Sequence, residues 1–168
     1  MLVPVRIFAA LTVAIAMSIA TNAVAQGDDD LPAVHQAAAP GTPAARAAVM
    51  QFYKALNAMF AGDAKPMAAL WSRKPDIVYM GPDGRVRHGW LEVTADFDAA
   101  AKRKLGGTVE PRDITISIGH DIAVVADIEI GKRSGRTNKV RATSAFRLEG
   151  KEWKMIAHHV DPLPAAPQ

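Results

Sequence analysis

Trp153-Lys154-Met155-Ile156-Ala157-His158-His159-Val160-Asp161-Pro162 reads as the closing β-strand of a sheet. A tight Glu149-Gly150-Lys151 turn precedes it, successive side chains alternate in direction, and Pro162, with no N–H to give a ladder, ends it. The alternation sets Trp153, Met155, Ala157 and His159 on one face and Lys154, Ile156, His158 and Val160 on the other. Both faces are largely apolar, so both are expected to be covered. A strand covered on both sides, with a histidine on each, is expected to lie beside whatever this protein binds.

Upstream of that strand the period is also two. Ile114, Ile116 and Ile118 alternate with polar residues, Gly119-His120-Asp121 turns the chain, and Ile122, Val124, Ala126, Ile128 and Ile130 continue the alternation. A polar turn from Gly131 to Gly135 leads to Val140, Ala142, Ser144, Phe146 and Leu148, with Lys139, Arg141, Thr143 and Arg147 on the opposite face.

Before Val109 the period is helical. Thr42-Pro43 starts a helix whose Val49, Phe52, Leu56 and Met59 share a face and which ends at Gly62. Asp63 caps a shorter helix through Met67, Leu70 and Trp71, which Pro75 breaks. Ile77 to Met80 is a short strand, and Gly81-Pro82-Asp83-Gly84 is a turn. Gly89 opens a third helix with Trp90, Val93, Phe97 and Ala100 or Ala101 on one face, ended by Gly106-Gly107. Three helices followed by a strongly curved antiparallel sheet is an α+β layout, with the apolar sheet face closing over the first and third helices.

The N-terminus predicts export. Arg6, the apolar run Ile7 to Ala20 and the small-x-small Ala23-Val24-Ala25 fit a leader over residues 1–25, cleaved after Ala25. Residues 26–43, rich in Ala, Pro, Asp and Gly, read as a flexible tether. They are followed by one domain over 44–163 and a tail over 164–168. A periplasmic or secreted protein is expected, with no membrane attachment after cleavage, because no second run is long enough to span.

Removing the leader leaves 19 basic against 17 acidic residues, too even a balance to suggest nucleic acid. Lys102-Arg103-Lys104 is a short basic cluster that suits a helix C-terminus. There is no cysteine, which excludes disulfides, thiol catalysis and cysteine-based metal sites. Stability must come from the core. About 140 residues can bury roughly two-thirds of their surface, enough for one domain.

The order and spacing of these elements over roughly Ala45 to Pro162 resemble the SnoaL-like group of the nuclear transport factor 2-like superfamily. The markers are Ala61-Gly62-Asp63, Ala69-Leu70-Trp71, Gly81-Pro82-Asp83-Gly84 to Gly89, the Phe146-Arg147-Leu148-Glu149-Gly150 to Trp153 hairpin, and His159-Val160-Asp161. The resemblance implies a cone of sheet around helices, a ligand pocket at the open end, and a homodimer through the outer sheet face. It also implies that Val140, Ala142, Ser144, Ile156, His158 and Val160 face inward and that His159 lies outside with Trp153.

Function does not follow from this fold, which hosts isomerases, dehydratases, hydrolases and binding modules. By register with ketosteroid isomerase, its tyrosine, base and protonated aspartate fall at Ala55, Met80 and Ser144, so that chemistry is not kept. Tyr53 reads as half a turn off the face. Asp127 and Arg141, which a limonene-epoxide-type hydrolase would need inside, read by parity as outer-face ion-pair partners. A scytalone-dehydratase-like mechanism could use His158 as base and Tyr79 as hydrogen-bond donor, but no inward carboxylate is available to orient the ring.

His158 and His159 point to opposite sides, so no metal site is expected. No cofactor is expected either, since Gly81 to Gly84 is a turn and not a phosphate loop. The expected role is binding of a small organic molecule in an apolar pocket walled by Trp71, Tyr79, Met80, Trp90, Ser144 and His158. An acid–base isomerase, dehydratase or hydrolase working through His158 and Tyr79 is the alternative. A second alternative is an assembly module using the Trp153, Met155 and His159 face.

Overall fold

The computed structural model describes residues 42–163. The expected leader, nearly all of the tether and the tail lie outside the described residues. No described helix is long and apolar enough to cross a membrane.

Helix α1 (Thr42–Ala61) buries Val49, Phe52, Tyr53, Leu56 and Met59. It stops in a reverse turn: the Asp63 N–H donates to the Ala58 carbonyl at 2.9 Å and the Gly62 N–H to the Met59 carbonyl at 3.0 Å. Gly62 sits at φ 114°, where a side chain would be strained. Helix α2 (Lys65–Leu70) leads into strand β1 (Val78–Met80), a turn, and strand β2 (Val86–His88). The sequence pattern missed β2, whose three residues are too few to show a period. Helix α3 (Gly89–Lys102) buries Val93, Phe97, Ala100 and Ala101.

Four long strands follow: β3 (Thr108–Ile118), β4 (Ile122–Arg133), β5 (Arg136–Glu149) and β6 (Glu152–Pro162). The six strands make one curved sheet in the order β2-β1-β6-β5-β4-β3. It is α+β as expected but mixed, because β1 runs parallel to β6, pairing Tyr79 with His158. The inner face closes over α1 and α3, bringing Phe52, Val93 and Phe97 together with Val125, Phe146 and Met155. Edge strand β3 is held to α1 by Asn57, whose side-chain amide donates to the Val109 carbonyl at 3.1 Å and accepts from the Val109 N–H at 2.7 Å. That pairing satisfies backbone groups a sheet edge leaves open.

Two strands depart from the sequence reading. In β4 the buried residues are Ala123, Val125, Asp127 and Glu129, while Ile122, Val124, Ala126, Ile128 and Ile130 lie on the outer face. The reason is the β4–β5 hairpin. Its two-residue turn, Ser134-Gly135, sets Arg133 opposite Arg136, and the register then puts Glu129 opposite Val140 and Asp127 opposite Ala142. Since Val140, Ala142 and Ser144 face inward, Asp127 and Glu129 must too. Asp127 is therefore not an outer-face partner of Arg141, which instead pairs with Asp161 at 2.6 Å.

In β6 the ladder shifts: Ala145 opposes Ala157, but Phe146 opposes Met155. Ile156 is thus an extra residue, a β-bulge, and the strand's two halves have opposite parity. His158 and Val160 point inward from one half, and Trp153 and Met155 point inward from the other. His159 is exposed as expected. Met155, expected outside, is 0% exposed; the bulge lets one strand bury both sets.

Candidate active site

A cavity of about 470 Å³ opens between α1, the α3–β3 connection, the β4–β5 hairpin and the β1–β6 pair. Leu56 and Phe60 of α1, Val109 of β3, and Val140 and Val160 make its apolar walls. Glu129, His158 and Tyr79 bring titratable groups to its inner lining. Of the residues expected to wall a pocket, Tyr79 and His158 line this cavity and the other four do not. Trp71 is core, 5.5 Å from the Phe97 ring. Met80 pairs with outward-facing His159, Trp90 packs under the Arg73 guanidinium, and Ser144 lies behind His158.

Behind the cavity floor sits a buried polar chain. The Tyr53 hydroxyl is 2.9 Å from each Asp127 carboxyl oxygen and 3.2 Å from Glu129 Oε1. Its single proton serves one carboxylate at a time. Glu129 Oε1 lies 3.6 Å from His158 Nε2, and His158 Nδ1 is 2.8 Å from Ser144 Oγ. The imidazole is fixed by rings on both sides: Phe52 at 4.8 Å and Tyr79, stacked within 10° at 6.0 Å. Pairing of Tyr79 with His158 across parallel strands sets that stack.

Among the described residues, neither carboxyl meets a lysine or arginine at ion-pair distance. A carboxylate removed from water without a cation is disfavoured in its charged form. Burial therefore pushes Asp127 up to about 6, against the opposing Tyr53 hydrogen bond. Burial pushes Glu129 up to about 7, and the neighbouring Asp127 charge adds to this. Burial holds His158 down to about 3, with a smaller contribution from His159. The Tyr79 phenol is also raised by burial, so it stays neutral. Its hydroxyl lies over Gly81, where an added methyl would come within 2.8 Å of it. Tyr79 is further fixed by Arg87, 5.5 Å from its ring and itself paired with Asp83 and Asp96.

At neutral pH this arrangement holds an uncharged imidazole beside a carboxyl close to its own midpoint. It can give or take a proton at the cavity floor. Among the described residues no group of three or more His, Asp or Glu is arranged to hold a metal ion. Sequence reasoning missed Tyr53, Asp127 and Glu129: an inward carboxylate, expected to be absent, stands beside His158. Tyr53 was visible as the residue four after Val49 on the buried helix face.

The SnoaL-like domain model matches residues 45–164. The chain belongs to the SnoaL-like family. Among solved structures, a proposed dehydratase of the nuclear transport factor 2-like family from Streptomyces avermitilis is 23% identical. Its TM-score is 0.62, with 73% of this chain and 96% of that one covered. A proposed calcium/calmodulin-dependent protein kinase type II association domain from Thiobacillus denitrificans is 22% identical. There the TM-score is 0.65, over 71% of this chain and 94% of the other. A nuclear transport factor 2-like protein of unknown function from Pseudomonas putida is 18% identical, with a TM-score of 0.63 over 73% and 87%. At these identities the likeness is one of fold. A search of curated proteins gave no significant match.

Proposed function

We propose that this SnoaL-like domain is an enzyme that moves a proton on a small, mostly apolar organic molecule, in an isomerase- or dehydratase-type reaction. Glu129 is the general base and acid, and His158 is its partner at the reacting atoms. One observation carries the reading. Glu129, at the floor of a cavity large enough for a ligand, and Asp127 behind it are two adjacent carboxyls buried beside a neutral imidazole, with no lysine or arginine paired to either among the described residues. Such a cluster weakens the fold and is expected where the perturbed protonation is used. The cavity supports it by being apolar elsewhere, which keeps water from levelling the acidities.

The test is hydron exchange. Small cyclic ketones and β-hydroxy carbonyl compounds are incubated with the protein in deuterated water, and deuterium at the carbon next to the carbonyl is followed by NMR. Exchange above the blank that disappears in Glu129→Gln supports the proposal. No exchange with any compound, or exchange that Glu129→Gln leaves intact, overturns it in favour of binding without turnover.

We propose further that the chain is exported and forms a homodimer through the outer sheet face. The leader-like N-terminus supports export, and a mature protein beginning at Gln26 is the expected result of N-terminal sequencing. Five outward apolar residues on β4 support the dimer.

A further inference from the structure

The β4–β5 hairpin carries a ladder of facing residues from the cavity floor to the solvent. Asp127 opposes Ala142, Glu129 opposes Val140, Gly131 opposes Asn138, and Arg133 opposes Arg136. Alternation puts all eight on the inner face, so the two arginines crown the wall whose base is the Glu129 carboxyl. Four residues of strand separate Glu129 from Arg133, about 13 Å. Gly131 keeps the middle of the path open, since an added methyl there would make only an ordinary contact, 3.8 Å from the Asn138 carbonyl.

Two like charges directly opposite one another destabilise a strand pair. Among the described residues Arg133 and Arg136 have no acidic partner. Lys132 lines both concavities as well, but it is already bridged to Glu110 at 3.8 Å. Arg133 and Arg136 both line the main cavity, and both also line a second concavity of about 400 Å³ at the hairpin end. One wall therefore offers cations at its mouth, apolar surface along Val140 and Val160, and the Glu129 carboxyl at its floor.

We propose that the cavity takes a small organic anion, a carboxylate or a phosphate ester. Its charged group is held between Arg133 and Arg136, and its apolar body runs inward to Glu129 and His158. The inference rests on the cavity being the site of reaction. The guanidinium pair matches an anion's oxygens two by two, and the acidic floor repels the same group, so the ligand enters in one orientation.

The experiment is calorimetric titration of the full domain with 4-phenylbutyrate, its uncharged primary amide, and phenethyl phosphate. The expected result is that at least one anion binds about tenfold or more tightly than the amide. In R133Q/R136Q that preference should shrink to about twofold, with the melting temperature equal to or above that of wild type, since the like-charge repulsion is removed. Whichever anion leads identifies the head group. The proposal is overturned if the amide binds as tightly as both anions, if none of the three binds at millimolar concentration, or if the preference survives in R133Q/R136Q. Glu129→Gln separates this inference from the proposed chemistry, because it should abolish exchange while leaving the anion preference in place.

Discussion

His158 Nε2 lies 3.6 Å from Glu129 Oε1, and among the described residues neither group reaches a lysine or arginine that could balance the pair. Their contact is one between neutral partners over much of the pH range. Burial drives the imidazole down to about 3 and the carboxyl up to about 7, so both changes remove charge from the same dry spot. Ser144 occupies Nδ1, which leaves Nε2 for exchange with Glu129 or with a ligand atom.

This sets the pH dependence expected of the proposed catalysis. If Glu129 is the base, the rate for an exchanging substrate should rise about tenfold per pH unit below its midpoint and level above about pH 7. Glu129→Gln should cost roughly 10²- to 10⁴-fold in rate and remove that limb. A pH–rate profile of wild type and variant checks both. A limb that survives in the variant assigns the titration to another group.

Stability should carry the opposite signature. Both carboxyls have folded-state values above their ordinary ones, so their contribution is fully present at acid pH. It is lost as pH rises through about 6 for Asp127 and about 7 for Glu129. His158, depressed in the fold, contributes fully above its ordinary 6.5 and loses that contribution as pH falls toward about 3. Glu129→Gln removes one carboxyl from this balance. Between pH 5 and pH 8 the variant should gain on the order of 2 kcal/mol relative to wild type, measured by denaturant unfolding at each pH. A constant difference between the two proteins would mean that Glu129 titrates normally.

Tyr53→Phe probes the chain behind the floor. Tyr53 touches the carboxyls and not the cavity, so it is a positioning residue. Its hydrogen bond lowers both Asp127 and Glu129 against the effect of burial. Without it the Glu129 midpoint should move up by about one pH unit or less, with the high-pH plateau of the rate little changed. A rate that falls equally at every pH would show that Tyr53 acts only through packing.

The fold was legible because its evidence is periodic: helix faces at three and four, strands at two, and glycine turns between them. The site was hidden by one error of parity. The residues Ile122, Val124, Ala126, Ile128 and Ile130 form so regular an apolar set that they read as the inner face. Yet a two-residue hairpin turn pairs an odd-numbered residue of β4 with an even-numbered residue of β5. Once Val140, Ala142 and Ser144 were read as inward, the even set on β4 could not be inward as well. The Ser134-Gly135 turn, with both residues at positive φ, held that information. The bulge at Ile156 left no comparable signal, because both faces of the strand are apolar. Only packing against Phe146 decides it.

Gly81→Ala tests the Tyr79 stack. Gly81 is buried and its added methyl would meet the Tyr79 hydroxyl at 2.8 Å, closer than real contacts allow. Because a phenol cannot bend aside, the ring must tilt and lose its stacked alignment on His158. Weaker binding of a cavity ligand, by several-fold, is expected in titration. Unchanged affinity would mean that the ring position is immaterial to the cavity.

The inverted parity of β4 also redirects the assembly question. A charge at Met155 would sit in the core beside Phe146, so Met155→Glu should unfold the domain and says nothing about dimers. The apolar surface open to the proposed dimer partner is instead the stripe centred on Val124, which is 44% exposed. Its register neighbours Ser117 on β3 and Ala145 on β5 are short enough for a second sheet to approach closely. A glutamate at this point would put two like charges near the centre of a symmetric interface without disturbing the fold of either subunit. Val124→Glu should therefore convert a dimer to a monomer in sedimentation at micromolar concentration and leave the melting curve cooperative. A wild type that sediments as a monomer, or a variant that remains dimeric, would remove the outer face of β4 from the interface.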